Sequence, residues 1–474
     1  MSRPVSRTAQ AALRRALAAT AGGALLVTLL AAVTASGPAD ADPAASAVRD
    51  KLAPVTPSGI VTPGDFVGFG FDQCHTPEQK KMDRWLQSSP FLAVGIYISG
   101  DSRACRDQPN LTPRWVYRQL TRGWRLLPIT LGPQASCQPR FPRYGDDETI
   151  NPKPGKNKRY DKARAQARSE AGRAAATATE LGIALGSTLW YDLEGFELSN
   201  VRCRESALAF LSAWTTQLHE LGFVSGVYSS AGSGIKMLDD ARVNRPDKVV
   251  LPDMIWVARW DGVANTSTSY LREDGWRPHA RIKQYQGGHD ETWGGVTINI
   301  DRNFLDVGRG LYVEPEKHCG DVRISYPTYE TLRPPTETTV PPAGRVMALQ
   351  CLLTEQEIYQ GKVNGKWNKA TVKAIQAWKT KVGMPVSEVW WQKNWMSLLS
   401  YGEQPVLKIG STGPEVRRLQ RTLNAAGVSD PIPATGRFRS DTGAALRAWQ
   451  TAARVEVSGV ASRESWKALS AGTS

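Results

Sequence analysis

Two carboxylates two residues apart, Asp192 and Glu194, are the side chains of this sequence best placed to do chemistry. They end an apolar run, residues 187–191, and Gly195 follows them. Because side chains alternate along a β-strand, both acids are expected to point to the same face. Each then favours the protonated form of the other, which suits acid/base chemistry at a glycosidic bond. An N-cap or a surface ion pair is the alternative interpretation.

Strand and helix patterns alternate on both sides of this stretch. Strands are predicted at 66–72, 93–98, 125–131, 187–194, 223–228, 254–260, 281–285 and 296–301. Helices are predicted at 76–86, from 113 onward, and at 161–181, 205–221 and 233–240, with Thr76 as the N-cap of the first. This order predicts an α/β fold, a (β/α)8-type TIM barrel whose last three units are irregular. A doubly wound open sheet is the alternative, but both glycine-rich phosphate motifs are absent.

In such barrels the chemistry lies at the carboxyl ends of the strands. Four acids are predicted to lie there as catalytic residues: Asp72, Asp192, Glu194 and Asp301. Six further residues are predicted to bind substrate at the same end: Tyr97, Tyr228, Trp260, Asp261, Gln284 and Tyr285. This combination suits a carbohydrate, because sugar rings stack on aromatic faces and sugar hydroxyls bond to carboxylates and amides. For each aromatic residue taken alone, packing in the core is the alternative.

The N-terminus has the layout of a secretory signal peptide. Four arginines precede the apolar segment 16–33, and Ala39-Asp40-Ala41 is a small-x-small cleavage site. Residues 1–41 are therefore expected to be removed and 42–62 to form a lead-in. The mature protein is expected to be secreted or wall-associated, without a membrane span. An uncleaved anchor is the alternative, and Arg14-Arg15 leaves the twin-arginine export route open.

Six cysteines fit an exported protein: Cys74, Cys105, Cys137, Cys203, Cys319 and Cys351. None lies in a C-x-x-C pair, so the sequence does not support a zinc ribbon or thioredoxin-type chemistry. We expect up to three disulfides. Chain order favours four cysteines paired within one domain and a Cys319–Cys351 bond across a linker.

The chain has 59 Lys and Arg against 45 Asp and Glu, a formal net charge of +14. A basic secreted protein is attracted to polyanions, such as the acidic polymers of a cell wall. Nucleic acid is not an expected partner, because zinc-finger spacing, an RNP motif and a basic stripe with interleaved aromatics are all absent. The five histidines form no H-E-x-x-H motif, so we expect no metal or cofactor. We expect a monomer.

Beyond a Pro/Thr-rich linker at 313–343, the sequence repeats itself. Gly365-Lys366-Trp367 recurs as Gly436-Arg437-Phe438, and Trp378 recurs as Trp449, at a constant offset of 71 residues. Apolar positions spaced i, i+3, i+4 and i+7 predict two small all-α repeats of three helices, at 344–402 and 403–474.

Six motifs of the barrel segment together resemble a known family. They are Gly68-Phe69-Gly70-Phe71-Asp72, Val94-Gly95-Ile96-Tyr97-Ile98, Tyr191-Asp192-Leu193-Glu194, Gly226-Val227-Tyr228-Ser229-Ser230, Trp256-Val257-Ala258-Arg259-Trp260-Asp261 and Gln284-Tyr285-Gln286-Gly287-Gly288. The family is the actinobacterial glycoside-hydrolase-like barrel, a domain of unknown function, and the resemblance gives domain bounds of 63–312. That family is similar to the family 25 glycoside hydrolases, which are secreted muramidases.

The resemblance implies roles for the four acids. Glu194 corresponds to the general acid, and Asp192 to the residue that orients and charge-stabilises the substrate's N-acetyl group as it attacks the anomeric carbon. Asp72 and Asp301 correspond to residues that hold the shape and charge of the site. The resemblance also implies five βα units followed by three strands.

The two helical repeats resemble the peptidoglycan-binding domain of wall hydrolases. The second repeat has the usual entry, residues 410–416, and Gln450 after its tryptophan, whereas the first lacks that entry and has Lys379. Generic helical spacers are the alternative. The sequence thus predicts a secreted, muramidase-like hydrolase of peptidoglycan glycan strands. A hydrolase of another polysaccharide, such as an arabinogalactan of the wall or a storage α-glucan, is the alternative enzyme. A cell-wall glycan-binding protein without catalysis is the alternative function.

Overall fold

The protein is described by a computed structural model over residues 58–474. The predicted signal peptide, 1–41, and the lead-in up to residue 57 lie outside the described residues. Within 58–474, no helix combines the length and apolar character needed to cross a bilayer.

Eight strands close into a barrel in chain order, which confirms the predicted fold class. The strands are β1 (Phe66–Asp72), β2 (Phe91–Ser99), β3 (Arg125–Thr130), β4 (Thr188–Leu193), β5 (Val224–Ser230), β6 (Met254–Ala258), β7 (Ala280–Trp293) and β8 (Val296–Val307). The helices that pack around them are α1 (Gln79–Ser88), α2 (Pro113–Thr121), α3 (Asp161–Glu180), α4 (Val201–Glu220) and α5 (Lys236–Asn244), the last preceded by a π-helical turn at Ala231–Ile235.

The last three strands depart from the βα pattern, as the resemblance implied. No helix joins β6 to β7, and a two-residue turn, Gly294-Gly295, joins β7 to β8. Both glycines have positive φ, the conformation that a tight hairpin requires. Such a turn connects only antiparallel strands, so β8 runs antiparallel to both β7 and β1.

Several predicted boundaries were wrong for local reasons. Thr76 does not cap α1, because its backbone is held by Gln108 and Asn110 and the helix begins three residues later. The fourth helix begins four residues earlier than predicted, since the Asn200 side chain accepts from the backbone of Cys203. Asp301 lies within β8 rather than at its end. The antiparallel strand β8 extends past the carboxyl end of β1, and Asp301 is the residue that pairs there with Asp72.

The C-terminal region consists of six helices in two units with a common hydrophobic core. They are α6 (Ala343–Glu355), α7 (Lys369–Lys381), α8 (Gln392–Ser400), α9 (Pro414–Ala426), α10 (Ser440–Ala452) and α11 (Arg463–Ser470). Helices of the second unit begin 71 residues after their counterparts, so the all-α repeat is confirmed. The Pro/Thr-rich segment before them is not a free linker, since Ile324, Tyr329 and Leu332 are buried in this core.

The cysteines pair as Cys74–Cys105, Cys137–Cys203 and Cys319–Cys351, which confirms the predicted grouping. The first bond joins the loop after β1 to the loop after β2. The second joins the loop after β3 to α4. Both therefore fasten loops at the carboxyl end of the barrel, where loops have the least support from regular structure.

The second helical repeat docks against the opposite, amino end of the barrel. The Lys408 amino group is buried and donates to the backbone carbonyls of Ser89 at 2.8 Å and Phe91 at 3.1 Å, where α1 ends and β2 begins. Gly410 approaches Phe66 so closely that a Cβ atom would come within 2.4 Å of its ring. The barrel and the helical repeats are thus packed together rather than separated.

Candidate active site

Asp72 and Asp301 face each other at the carboxyl end of β1, where the two residues are in register. The Gln284 side-chain amide donates to Asp72 at 3.2 Å and to Asp301 at 3.2 Å, and the Asn303 amide donates to Asp72 at 2.6 Å. Gly95 gives Asp72 room, because a Cβ there would lie 2.6 Å from the Asp72 Cβ. Burial, and then the charge of Asp301, raises the pKa of Asp72 to about 8. Burial raises the pKa of Asp301 to about 6.

Gln284 connects these acids to the aromatic residues of the site. Its Oε1 accepts from the Tyr228 hydroxyl at 2.9 Å and from the Trp260 indole at 2.9 Å. Because those two partners are donors and the carboxylates are acceptors, the amide has only one orientation that satisfies all its contacts. A single side chain therefore fixes both the acids and the aromatic residues beside them.

Asp192 lies deeper in the barrel, at 2% exposure. The Tyr97 hydroxyl donates to its Oδ2 at 3.1 Å, while its Oδ1 has no hydrogen-bond partner among residues 58–474. Burial, and then the charge of Glu194, raises the pKa of Asp192 well above its usual range. Burial also raises the pKa of Tyr97, whose hydroxyl therefore remains a donor. Asp192 thus lies beneath the surface of the site, in surroundings that favour its protonated form.

Glu194 follows directly after β4 and is more open than Asp192. Its carboxylate forms an ion pair with Arg140 at 3.0 Å, and 26% of its side chain is exposed. Gln134 fixes the backbone on both sides of it, accepting from Glu194 N at 2.8 Å and donating to Asp192 O at 2.7 Å. Of the two acids on this strand, Glu194 is therefore the one that can reach a ligand.

Two cavities at this end of the barrel meet at Glu194, and together they form what we call the cleft. The smaller, of about 280 Å³, is lined by Asp72, Gln73, Cys74, Tyr97, Arg103, Ala104, Cys105, Leu131, Arg143, Glu194, Asn299, Ile300 and Asp301. The larger, of about 460 Å³, is lined by Arg140, Glu194, Gly195, Tyr228, Ser230, Ala231, Gly232, Ala258, Arg259, Trp260 and Tyr270. A chain-like ligand that filled both would pass over Glu194.

Three predicted substrate-binding residues, Asp261, Gln284 and Tyr285, do not line the cleft, and neither does the predicted catalytic residue Asp192. Asp261 pairs with the buried amino group of Lys283 at 3.1 Å. Tyr285 is buried, and its hydroxyl interacts with Arg302. For Tyr285 the reason is strand alternation: Gln284 points into the barrel, so Lys283 and Tyr285 point away from it.

Three residues of the site escaped the sequence analysis: Gln134, Arg140 and Asn303. Asn303 had a signal, since it lies two residues after Asp301 and therefore on the same face of β8. Gln134 and Arg140 belong to a long loop whose pattern carries no periodic information. Within residues 58–474, one group of possible metal ligands is present, Cys319, Cys351 and Glu355. Its two sulfurs form a disulfide, so it offers no thiolate.

Comparison with known proteins gives matches to both parts of the chain. Residues 83–305 match the model of the Rv2525c-like, glycoside hydrolase-like domain, and residues 412–469 match that of a putative peptidoglycan binding domain. No curated protein matches the sequence.

Solved structures similar to the chain include the Tat-secreted protein Rv2525c of Mycobacterium tuberculosis in complex with L-tartrate. It is 12% identical, with 50% of this chain and 95% of that chain covered and a TM-score of 0.34. A family 25 glycosyl hydrolase of Bacillus anthracis is 12% identical, with 51% and 89% covered and a TM-score of 0.30. The spore cortex lytic enzyme SleM of Clostridium perfringens is 13% identical, with 50% and 67% covered and a TM-score of 0.33.

The matched segments lie within the barrel that carries the cleft and within the second helical repeat. The chain therefore carries an Rv2525c-like, glycoside hydrolase-like domain and a putative peptidoglycan binding domain.

Proposed function

We propose that the protein is a secreted glycoside hydrolase that cuts the glycan strands of peptidoglycan. The observation that carries this proposal is that the acids of the site differ in their burial and in their access to a ligand. Asp72 and Asp192 are buried and share hydrogen bonds with neighbouring side chains, whereas Glu194 is accessible at the junction of two cavities. Carboxyl groups in such different environments are the arrangement that glycosidic bond cleavage uses.

In this proposal Glu194 is the general acid that protonates the leaving oxygen. Asp192, once ionised, orients and charge-stabilises the N-acetyl group of the substrate as the acetamido oxygen attacks the anomeric carbon. Because Asp192 is 2% exposed and bonded to Tyr97, it reaches that group only after the Tyr97 hydroxyl releases it. Asp72 and Asp301 retain a proton between them and hold Gln284, which keeps Tyr228 in place.

The predicted location and partner support the same function. Three disulfides fit an extracytoplasmic protein, and the net charge of +14 favours contact with the acidic polymers of a cell wall. The peptidoglycan-binding domain would anchor the enzyme on its substrate. We propose a wall-associated monomer.

One observation favours a second function, a wall glycan-binding protein without catalysis. Arg140 forms an ion pair with Glu194 at 3.0 Å, so this carboxylate already has a partner within the chain. A general acid must give up such a contact before it can donate a proton to the leaving oxygen. A protein that only binds glycan has no such requirement.

The test compares the mature protein with its Glu194→Gln variant on isolated cell walls, by assay of new reducing ends. The hydrolase is expected to release them, and the variant to lose at least about a hundredfold in rate, since general acid catalysis contributes that much. Glu197→Gln is a matched control, because Glu197 is exposed and lies outside both cavities. Equal release by wild type and Glu194→Gln would refute the hydrolase. Wall binding without release would support the second function.

A further inference from the structure

The two cavities of the cleft differ in charge. The smaller is lined by three acids, Asp72, Glu194 and Asp301, and by two arginines. The larger is lined by two arginines, Arg140 and Arg259, and by Glu194 as its one acid. The larger cavity is therefore the more basic of the two, which favours one direction of binding for a ligand with an uneven charge distribution.

Aromatic side chains give the basic cavity a surface for a sugar ring. Trp260 is 64% exposed, the indole nitrogen is bonded to Gln284, and the ring packs against Gly287. A Cβ at Gly287 would lie 2.7 Å from the six-membered ring, so glycine is needed for this packing. Tyr270 is also exposed, at 42%. A large exposed aromatic ring that is fixed in position is suited to stacking with a pyranose.

The two arginines of this cavity can both bind an anion. Arg259 forms no ion pair within the described part of the chain, and its guanidinium lies 5.3 Å from the centre of the Tyr270 ring. Its backbone nitrogen donates to Gln284 O at 3.0 Å, which fixes the position from which the side chain extends. Arg140 is 66% exposed in its side chain and pairs with Glu194. Guanidinium groups bind carboxylates with two parallel hydrogen bonds, so either arginine offers a specific contact.

We propose that the larger cavity binds a pyranose unit that carries a free carboxylate, as in peptidoglycan glycan strands from which the peptides have been removed. The ring stacks on Trp260, and the carboxylate lies between Arg259 and Arg140. This inference rests on the proposed function for the position of the ligand along the cleft, with the glycosidic bond of that unit next to Glu194. When the carboxylate of the ligand engages Arg140, Glu194 loses its ion-pair partner. Recognition of an acidic sugar thus also frees the carboxyl group that is proposed to act on it.

The test measures binding of two tetrasaccharides that share a β-1,4-linked N-acetylglucosamine-type backbone. One is a peptidoglycan glycan fragment stripped of peptide, which carries free lactyl carboxylates, and the other is neutral chitotetraose. Affinities are measured by calorimetry with the full mature chain in a Glu194→Gln background, so that no bond is cut. The acidic probe is expected to bind about tenfold more tightly, because a hydrogen bond between charged groups is worth about that factor.

Variants separate the anion site from the stacking surface. Arg259→Gln is expected to reduce the preference for the acidic probe about tenfold while leaving chitotetraose binding unchanged. Trp260→Ala is expected to weaken both probes to the same extent. Arg333→Gln is the matched control, because Arg333 is an exposed arginine stacked 5.0 Å from the Trp391 ring in the helical region.

Equal affinity of the starting protein for the two probes would overturn the inference, and so would an unchanged preference in Arg259→Gln. These outcomes are independent of the reducing-end assay with cell walls. If the protein releases reducing ends but does not prefer the acidic probe, the proposed hydrolase function is retained and the anion site is refuted. If it prefers the acidic probe but releases no reducing ends, the anion site is retained and the hydrolase function is refuted.

Discussion

The Asp72–Asp301 pair makes the stability of the barrel depend on pH in a direction opposite to that of most carboxylates. The pKa of Asp72 is raised from 3.8 to about 8, with burial as the main cause. The folded state therefore binds a proton more tightly than the unfolded state. This contribution to stability is fully present below pH 3.8 and is lost as pH rises through about 8. Since each pH unit is worth about 1.4 kcal/mol, the loss reaches roughly 6 kcal/mol over this window.

Asp72→Asn replaces the protonated carboxyl by a group of the same shape that does not titrate. Its amide oxygen can still accept from Asn303, so its hydrogen bonding at pH 5 resembles that of the wild type. We expect the wild type to lose stability from pH 5 to pH 8 relative to Asp72→Asn, by about 1 kcal/mol per pH unit. The assay is urea unfolding followed by tryptophan fluorescence at each pH.

A matched variant and a clear negative result complete this test. Asp107 is an exposed aspartate outside both cavities, so Asp107→Asn is expected to follow the wild type at every pH. A constant difference between wild type and Asp72→Asn from pH 5 to pH 8 would refute the reasoning, because it would mean that Asp72 is ionised throughout.

Three further predictions concern the contacts that hold the site and the helical repeats. Lys408→Met leaves carbonyl groups at the end of α1 buried without donors, and is expected to lower the free energy of unfolding by about 3–5 kcal/mol in urea titrations. Replacement of both Cys319 and Cys351 by Ser opens a crosslink between residues 32 apart, with an expected loss of about 3–4 kcal/mol; an unchanged melting temperature would contradict this. Gln134→Ala removes the side chain that fixes the backbone of Glu194, and is expected to reduce reducing-end release about tenfold or more with wall binding unchanged.

The barrel was predictable from the sequence because its signals are local. Buried strands appear as short apolar runs, and the β7–β8 turn contains two adjacent glycines. Errors arose where a distant contact overrode a local signal. Thr76 has the sequence of an N-cap, but its backbone is held by Gln108 and Asn110 from another loop. Burial of the Pro/Thr-rich segment likewise depends on a hydrophobic core that only the folded helices create.

The site was predictable where each residue ends a strand and less so elsewhere. The four predicted acids and Gln284 are brought to one end of the barrel, because β1, β7 and β8 are neighbours and closure of the sheet sets the end of β4 across from them. Whether a residue faces inward depends on the register of its strand. The prediction placed Tyr285 with the substrate-binding residues, but its side chain points away from the barrel interior and interacts with Arg302. Gln134 comes from a loop held by the Cys137–Cys203 bond, so its position depends on pairing that sequence order alone does not determine.

The position of the wall-binding repeat limits how it can assist the cleft. Lys408 docks that repeat at the amino end of β2, whereas Glu194 lies at the carboxyl end of β4. A strand of seven residues such as β1 spans about 23 Å, several times the length of a sugar unit. On the proposed function, the repeat and the cleft therefore hold different segments of the wall polymer. The repeat then acts by raising the local concentration of substrate, and specificity for the bond that is cut resides in the cleft alone.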